Sequence, residues 1–287
     1  MRTFVLTVVC LALLCSLSTI ASAGVVVSYP NFCSSSGLTL VGSAATTSCV
    51  LRLTPNLDGQ AGAAYSTTPI TLGTNDTFST TFQFQITQPG GIAPADGITF
   101  VLAANPSGLG TGGGDIGYGG VNNSVAIEFD TFNNGGNDGN SDNHIAINEN
   151  GHIDDGSAFG DEHMHYVYGT QNCGFNTTAG CMSNGHVWTV TASYNGSTLS
   201  LSITDPAKGF TDVVYTNVPI NIAGDLGTNT AYVGFTAGTG SGNENQDILK
   251  WSFANDTSLA TPEPSTLLML GSGVLGLLGV ARRKLSR

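Results

Sequence analysis

The chain has 287 residues, of which 39 are Gly and 10 are Pro, and only 10% are charged. Glycine weakens helix interiors, which argues against a helical bundle or coiled coil. Eight Lys and Arg stand against 20 Asp and Glu, a formal charge of −12 and the wrong sign for phosphate-backbone recognition, so no nucleic-acid partner is expected. The 40% hydrophobic content suffices for a packed core, which leaves an acidic, turn-rich β protein.

Residues 1–23 start with Arg2, run through an apolar core to Leu17 and end in Ala21-Ser22-Ala23. A basic start, a short apolar core and an A-x-A site read as a secretory signal peptide cleaved after Ala23. Cys10 and Cys15 leave with it, and the mature chain keeps Cys33, Cys49, Cys173 and Cys181. Four cysteines in an exported protein read as two disulfides, and the gaps of 16 and 8 residues favour Cys33–Cys49 and Cys173–Cys181. No C-x-x-C spacing suggests zinc instead.

The body, residues 24–258, reads as one all-β domain. Between residues 24 and 260 the only basic residues are Arg52, Lys208 and Lys250, against nineteen acidic ones, a net of −16. Such a body repels anionic membrane and suits hard divalent cations. Phe78, Thr80, Phe82, Phe84 and Ile86 alternate with Ser79, Thr81, Gln83 and Gln85, the period of a half-buried strand. Further strands are predicted at Gly97–Ala104, Ser124–Thr131 and His144–Glu149. Trp188, Val190, Ala192 and Tyr194 repeat the alternation up to Asn195-Gly196, a hairpin signal, and Leu199, Leu201 and Ile203 form the return strand. Val213–Val218, Thr230–Ala237 and Ile248–Ala254 follow. No helical periodicity is visible, and the glycines of 108–120 and 135–139 must be loops. Many short strands with frequent turns suggest a sandwich or jelly roll.

In a strand, residues i and i+2 share a face, so Glu128 and Asp130 project together while Ile127 and Phe129 enter the core. Two adjacent carboxylates repel unless a cation lies between them. The following loop supplies Asn134, Asp138 and Asp142, oxygen donors suited to calcium. His144 adds a nitrogen that a transition metal accepts more readily. Asp161-Glu162-His163-Met164-His165 is a second, weaker metal candidate.

Five ordered blocks now resemble the legume-type (L-type) lectins. They are Ala95-Asp96-Gly97-Ile98-Thr99-Phe100, Gly112-Gly113-Gly114-Asp115-Ile116-Gly117, Glu128-Phe129-Asp130-Thr131-Phe132, Asn143-His144-Ile145-Ala146-Ile147, and Gly234–Gly240 leading to Ile248–Phe253. They span about residues 29–255. The resemblance implies a concanavalin A-like jelly-roll β-sandwich and a carbohydrate-binding role on glycans or exopolysaccharide. It implies a cis Ala95–Asp96 peptide and an Asp96 carboxylate accepting sugar hydroxyls. Gly113 or Gly114 would donate a backbone N–H to the sugar, and Asn134 would serve both sugar and calcium. Phe132 would give its carbonyl to calcium and its ring to the sugar. Calcium (Ca2+) would be held by Asp130, Phe132, Asn134 and Asp138. A second site for Mn2+ or another transition metal would use Glu128, Asp130, Asp138 and His144. Three residues, rather than the family's usual two, separate Asn134 from Asp138, so Asp142 is an alternative to Asp138. Thr239–Asn245, with Thr239 and Gly240 facing the sugar, would tune specificity. Tyr118 would line the site or pack.

Pro262-Glu263-Pro264, the apolar run from Leu267 to Ala281 and the basic Arg282-Arg283-Lys284 resemble the PEP-CTERM sorting signal of exported bacterial proteins, assigned to residues 259–287. That resemblance implies a membrane contact through the C-terminal segment before cutting by an exosortase-like protease. It places the body at the cell surface or matrix of a Gram-negative-type bacterium. The 15-residue run lies at or below the short limit for a transmembrane helix. Two other readings stay open: a structural surface protein with a non-binding lectin fold, and a β-glucan hydrolase of the same sandwich. The hydrolases carry a Glu-x-Asp-x-Glu strand, and Phe132 stands here where their second catalytic Glu would be, so no enzyme activity is expected.

Overall fold

The alternation over Phe78–Ile86 becomes the inner strand Thr77–Gly91, which carries the core of a computed structural model that describes residues 24–72, 77–153 and 163–256. Among the described residues the strands form two antiparallel eight-stranded sheets. The back sheet runs Asp212–Pro219, Thr198–Thr204, Val187–Tyr194, Thr77–Gly91, Gly242–Asp256, Val50–Thr54 and Ala45–Thr47, with Gly24–Tyr29 on the Gly242–Asp256 strand. The front sheet runs His165–Tyr166, His144–Glu149, Ser124–Asp130, Gly97–Ala103, Thr230–Gly238, Ala61–Ser66 and Leu38–Gly42, with Ile70–Thr71 beside Thr230–Gly238. The described residues belong to one compact unit. The predicted all-β jelly-roll sandwich is the fold observed.

Phe82 holds the two sheets together. From the back sheet it meets Phe100, Phe129 and Phe235 at ring-centroid distances of 5.8, 5.8 and 5.0 Å. Those rings sit on three adjacent front strands, Gly97–Ala103, Ser124–Asp130 and Thr230–Gly238, of which Ser124–Asp130 carries Glu128 and Asp130. One stacked and two edge-to-face contacts at this range add to the apolar burial.

The front sheet is buried on its outer side as well. Ala63, Tyr65, Val101, Ala103, Val121 and Ala126 form a second small core with Tyr118, under the loop that follows Gly97–Ala103. Tyr118 packs rather than lining the site, and its hydroxyl accepts from Ser124 Oγ at 2.8 Å and the Gly151 N–H at 3.2 Å. This double cover explains why every residue of Gly97–Ala103 and Ser124–Asp130 is buried.

Several local expectations change. The N-terminal strands Gly24–Tyr29, Leu38–Gly42, Ala45–Thr47, Val50–Thr54 and Ala61–Ser66 were not legible as alternation, and a five-residue helix, Ile222–Leu226, is capped by the Asn221 side chain. The last strand starts at Gly242 rather than Ile248, because Gly242–Asp247 pairs with the long Thr77–Gly91 strand. Only Thr239–Ser241 of the predicted specificity loop is therefore loop. Asn195-Gly196 does turn the hairpin, with Tyr194 opposite Leu199. Both predicted disulfides, Cys33–Cys49 and Cys173–Cys181, are formed. Among the described residues no helix is long and apolar enough to cross a membrane, and the apolar run 267–281, where the C-terminal membrane contact is expected, lies outside them.

Truncating the ring that joins the sheets is expected to be costly. Phe82→Ala should lower unfolding stability by about 3–5 kcal/mol in urea denaturation, whereas Thr81→Ala on the exposed face should leave it nearly unchanged.

Candidate metal centre and adjoining cleft

On the Ser124–Asp130 strand, Ile127 and Phe129 enter the main core while Ala126, Glu128 and Asp130 take the other face. Asp130 lies opposite His144 on one neighbouring strand and Gly97 on the other. Glu128, Asp130 and His144 are all buried, and each offers a ligand atom within 4.8 Å of the others, a group that could hold a metal ion. Asp130 Oδ2 and His144 Nδ1 are buried with no hydrogen-bond partner. Buried polar atoms are normally paired, so these two leave the cluster with ligand capacity that an ion would fit. Burial, Glu128 and Asp138 push the Asp130 carboxyl well above the usual range, and burial drives His144 down to about 4.

The loop after this strand brings Asp138 back. Gly135–Asp138 is a short 3-10 turn, and Asp138, 3% exposed, accepts the Asn134 N–H. The three residues between Asn134 and Asp138 lie in that turn. Asp142 is engaged elsewhere, accepting the Cys173 and Gly174 N–H groups at 2.6 and 2.8 Å. Beside it, the Asn143 amide donates to the Val167, Thr170 and Gly180 carbonyls and accepts from Met182 N–H.

Next to the buried carboxylates lies a cleft of about 620 Å³, lined by residues including Thr111, Gly112, Gly114, Asn134, Asp138 and His152. Gly114 abuts the Asn134 amide so closely that a Cβ there would sit 2.9 Å from Nδ2. Gly240 stands between Gly113 and Asp96, and a Cβ on it would lie 3.4 Å from both Gly113 Cα and Asp96 Oδ2. Asp96 follows a cis Ala95–Asp96 peptide and is 3% exposed, with Oδ2 unpartnered. Burial pushes its pKa up to about 7, against the pull of the Gly240 N–H. Asp96, Gly113, Gly114, Asn134 and Gly240 are thus brought together beside Asp130 and Asp138.

Two expected contacts fall elsewhere. Thr239 is fully buried, its hydroxyl donating to the Leu57 carbonyl at 2.6 Å and accepting from Gln60 N–H at 2.9 Å. Gly113 N–H is committed to the Thr239 carbonyl at 3.0 Å. In the second candidate cluster, His165 bonds Asp212 at 3.0 Å, while Asp161 and Glu162 lie outside the described residues.

Glu244 was missed. It is fully buried, and burial pushes its pKa up to about 8 despite hydrogen bonds from Thr131, Ser183 and Gln246. Its i, i+2 spacing to Gln246 and apolar Ile248 was the available signal, masked by the reading of this stretch as loop.

The model of the legume lectin domain matches residues 26–268, and a PEP-CTERM protein-sorting motif matches residues 260–284, which marks an exported protein. A lectin alpha chain of Lablab purpureus is 29% identical over 230 residues, 75% of this chain and 73% of the relative. A lectin of Pisum sativum is 30% identical over 233 residues, 76% and 78% respectively. The structure of a Bauhinia forficata lectin in complex with GalNAc aligns with a TM-score of 0.66 at 25% identity, over 83% of this chain and 100% of that one. The chain belongs to the legume lectin family.

The raised carboxyls give the metal-free protein a defined pH response. Asp96 and Glu244 retain protons that the unfolded chain has already released. Their contribution is full below the ordinary carboxylate range and is lost as pH rises through about 7 and 8. In EDTA the melting temperature is expected to fall by a few degrees between about pH 7 and 8.5, where His144 is neutral in both states. A flat profile in calorimetry would contradict the proton-holding role.

Proposed function

We propose that this protein is an exported, calcium-dependent lectin of a Gram-negative-type bacterium, acting on surface or matrix polysaccharide. The observation that carries the reading is the unpartnered, buried Asp96 carboxylate oxygen set beside Gly113, Gly114 and Asn134, against a buried carboxylate cluster. A carboxylate oriented next to a backbone N–H and an amide suits the paired hydroxyls of a sugar, because such groups left unpaired are costly.

In this reading Asp130, Phe132 through its carbonyl, Asn134 and Asp138 hold calcium, whose preference is for oxygen ligands. Asp138 is chosen over Asp142, which the Cys173 loop occupies. Glu128, Asp130 and His144, with Asp138 nearby, form the second site, where the imidazole favours a transition metal such as Mn2+. The ions, when bound, neutralise the carboxylates. The chain's own groups bind the sugar: Asp96 accepts hydroxyls, Gly114 donates its N–H in place of the committed Gly113, and the half-buried Phe132 offers its ring. Glu128 is only 1% exposed and accepts from Asn148, which supports a ligand role over that of a hydrolytic acid.

A glycan array run on residues 24–260 in calcium and again in EDTA tests this. Binding in calcium that EDTA abolishes is expected, and Asp96→Asn should weaken it by at least about ten-fold with the melting temperature retained. Silence in both conditions from a folded sample would make this a structural surface protein.

A further inference from the structure

We propose that Glu244 is a positioning residue that locks Asp96 in the sugar-accepting geometry from the side away from the cleft. This rests on the reading of Asp96 as the sugar-binding carboxylate. Glu244 lies on the back-sheet strand Gly242–Asp256, whereas Asp96 lies on the front side, immediately before Gly97–Ala103. Two hydrogen-bonded arms join them. In one, Thr131 Oγ1 donates to Glu244 Oε1 at 2.6 Å while the Thr131 N–H donates to the Asp96 carbonyl at 2.9 Å. In the other, Gln246 Nε2 lies 3.3 Å from both Glu244 Oε1 and the Ala95 carbonyl oxygen, donating to each. The carbonyls on both sides of the Asp96 amide are therefore held by residues that grip one carboxyl.

Glu244 is itself anchored. Ser183 Oγ donates to its Oε2 at 2.9 Å, and Thr54 Oγ1 donates to Gln246 Oε1 at 2.6 Å. Every one of these side chains is buried: Thr54, Thr131, Glu244 and Gln246 are at most 3% exposed and Ser183 is 6% exposed. Buried polar networks of this kind rigidify a site when every member is satisfied and fail when one is removed. An acidic group in the interior is costly to keep, and Glu244 is bonded by Thr131, Ser183 and Gln246, so its contribution lies in what it holds in place. The Asp96 amide N–H completes the frame by donating to the Gly238 carbonyl at 3.0 Å.

The test compares wild type, Glu244→Ala and Glu244→Gln by amide hydrogen exchange and by titration with methyl α-galactoside, methyl α-glucoside, methyl α-mannoside and GalNAc in calcium. Glutamine keeps an acceptor toward Thr131 and Gln246 and can donate to Ser183. In Glu244→Ala, exchange at the Asp96 and Thr131 amides should rise by at least about ten-fold, sugar affinity should fall by a similar factor, and calcium affinity should hold. Glu244→Gln should restore both amide protection and sugar binding. If Glu244→Ala does not fold, Thr131→Val and Gln246→Leu each cut one arm and should each raise exchange at Asp96. Unchanged exchange in the variants, or glutamine as poor as alanine, overturns the proposal. A wild type that shows the exchange response but is silent on the glycan array in calcium removes the lectin reading and leaves the Asp96 frame standing.

Discussion

Like-charge repulsion among buried carboxylates is the constraint around which this protein is built. Glu128, Asp130, Asp138, Asp96 and Glu244 all sit at 3% exposure or less within one region of the sandwich. Water cannot screen them, and a low-dielectric interior magnifies their mutual repulsion. The molecule meets this in two ways. Where donors are available, as at Glu244, hydroxyl and amide hydrogen bonds satisfy the group and burial keeps its proton on. Where donors fall short, as at Asp130 and His144, one buried atom on each side chain is left unpartnered in a group that could hold a metal ion.

That arrangement requires a rigid frame, which the double burial of the front sheet supplies. Phe82 ties three front strands to the back sheet through their inner faces. The Tyr118 loop seals the same strands from outside. Side chains in close-packed surroundings keep their rotamers, so carboxylates on these strands keep their separations. The cleft beside them is built differently, from glycines at 112, 114 and 240 that let backbone and amide groups approach without side chains between.

Much of this was legible from residue order. Alternation located Thr77–Gly91, Val187–Tyr194 and Thr198–Thr204 within a residue or a few at each end, because each has one apolar face. It also put Glu128 and Asp130 on one face. Ala61–Ser66 escaped because its alanines and glycine pack without marking a face, and the strand is buried almost throughout. Glu244 escaped for another reason. A polar residue followed by Asn, Gln and Asp looks like solvated loop, and only pairing with a strand about 150 residues distant turns it inward. Residue order does not distinguish Asp138 from Asp142, which are alike in type; in the fold Asp138 accepts the Asn134 N–H and Asp142 the Cys173 N–H.

The bonds at Asp142 and Asn143 carry a consequence for when the protein matures. The strand that presents His144 is entered through these two residues, and both are fastened to the segment between Val167 and Met182, which the Cys173–Cys181 bond closes. That covalent closure belongs to an oxidising compartment. The brace on the histidine side of the cluster is therefore completed by export rather than by synthesis. Export, which the PEP-CTERM motif marks, is in this respect also a step in bracing the candidate metal centre.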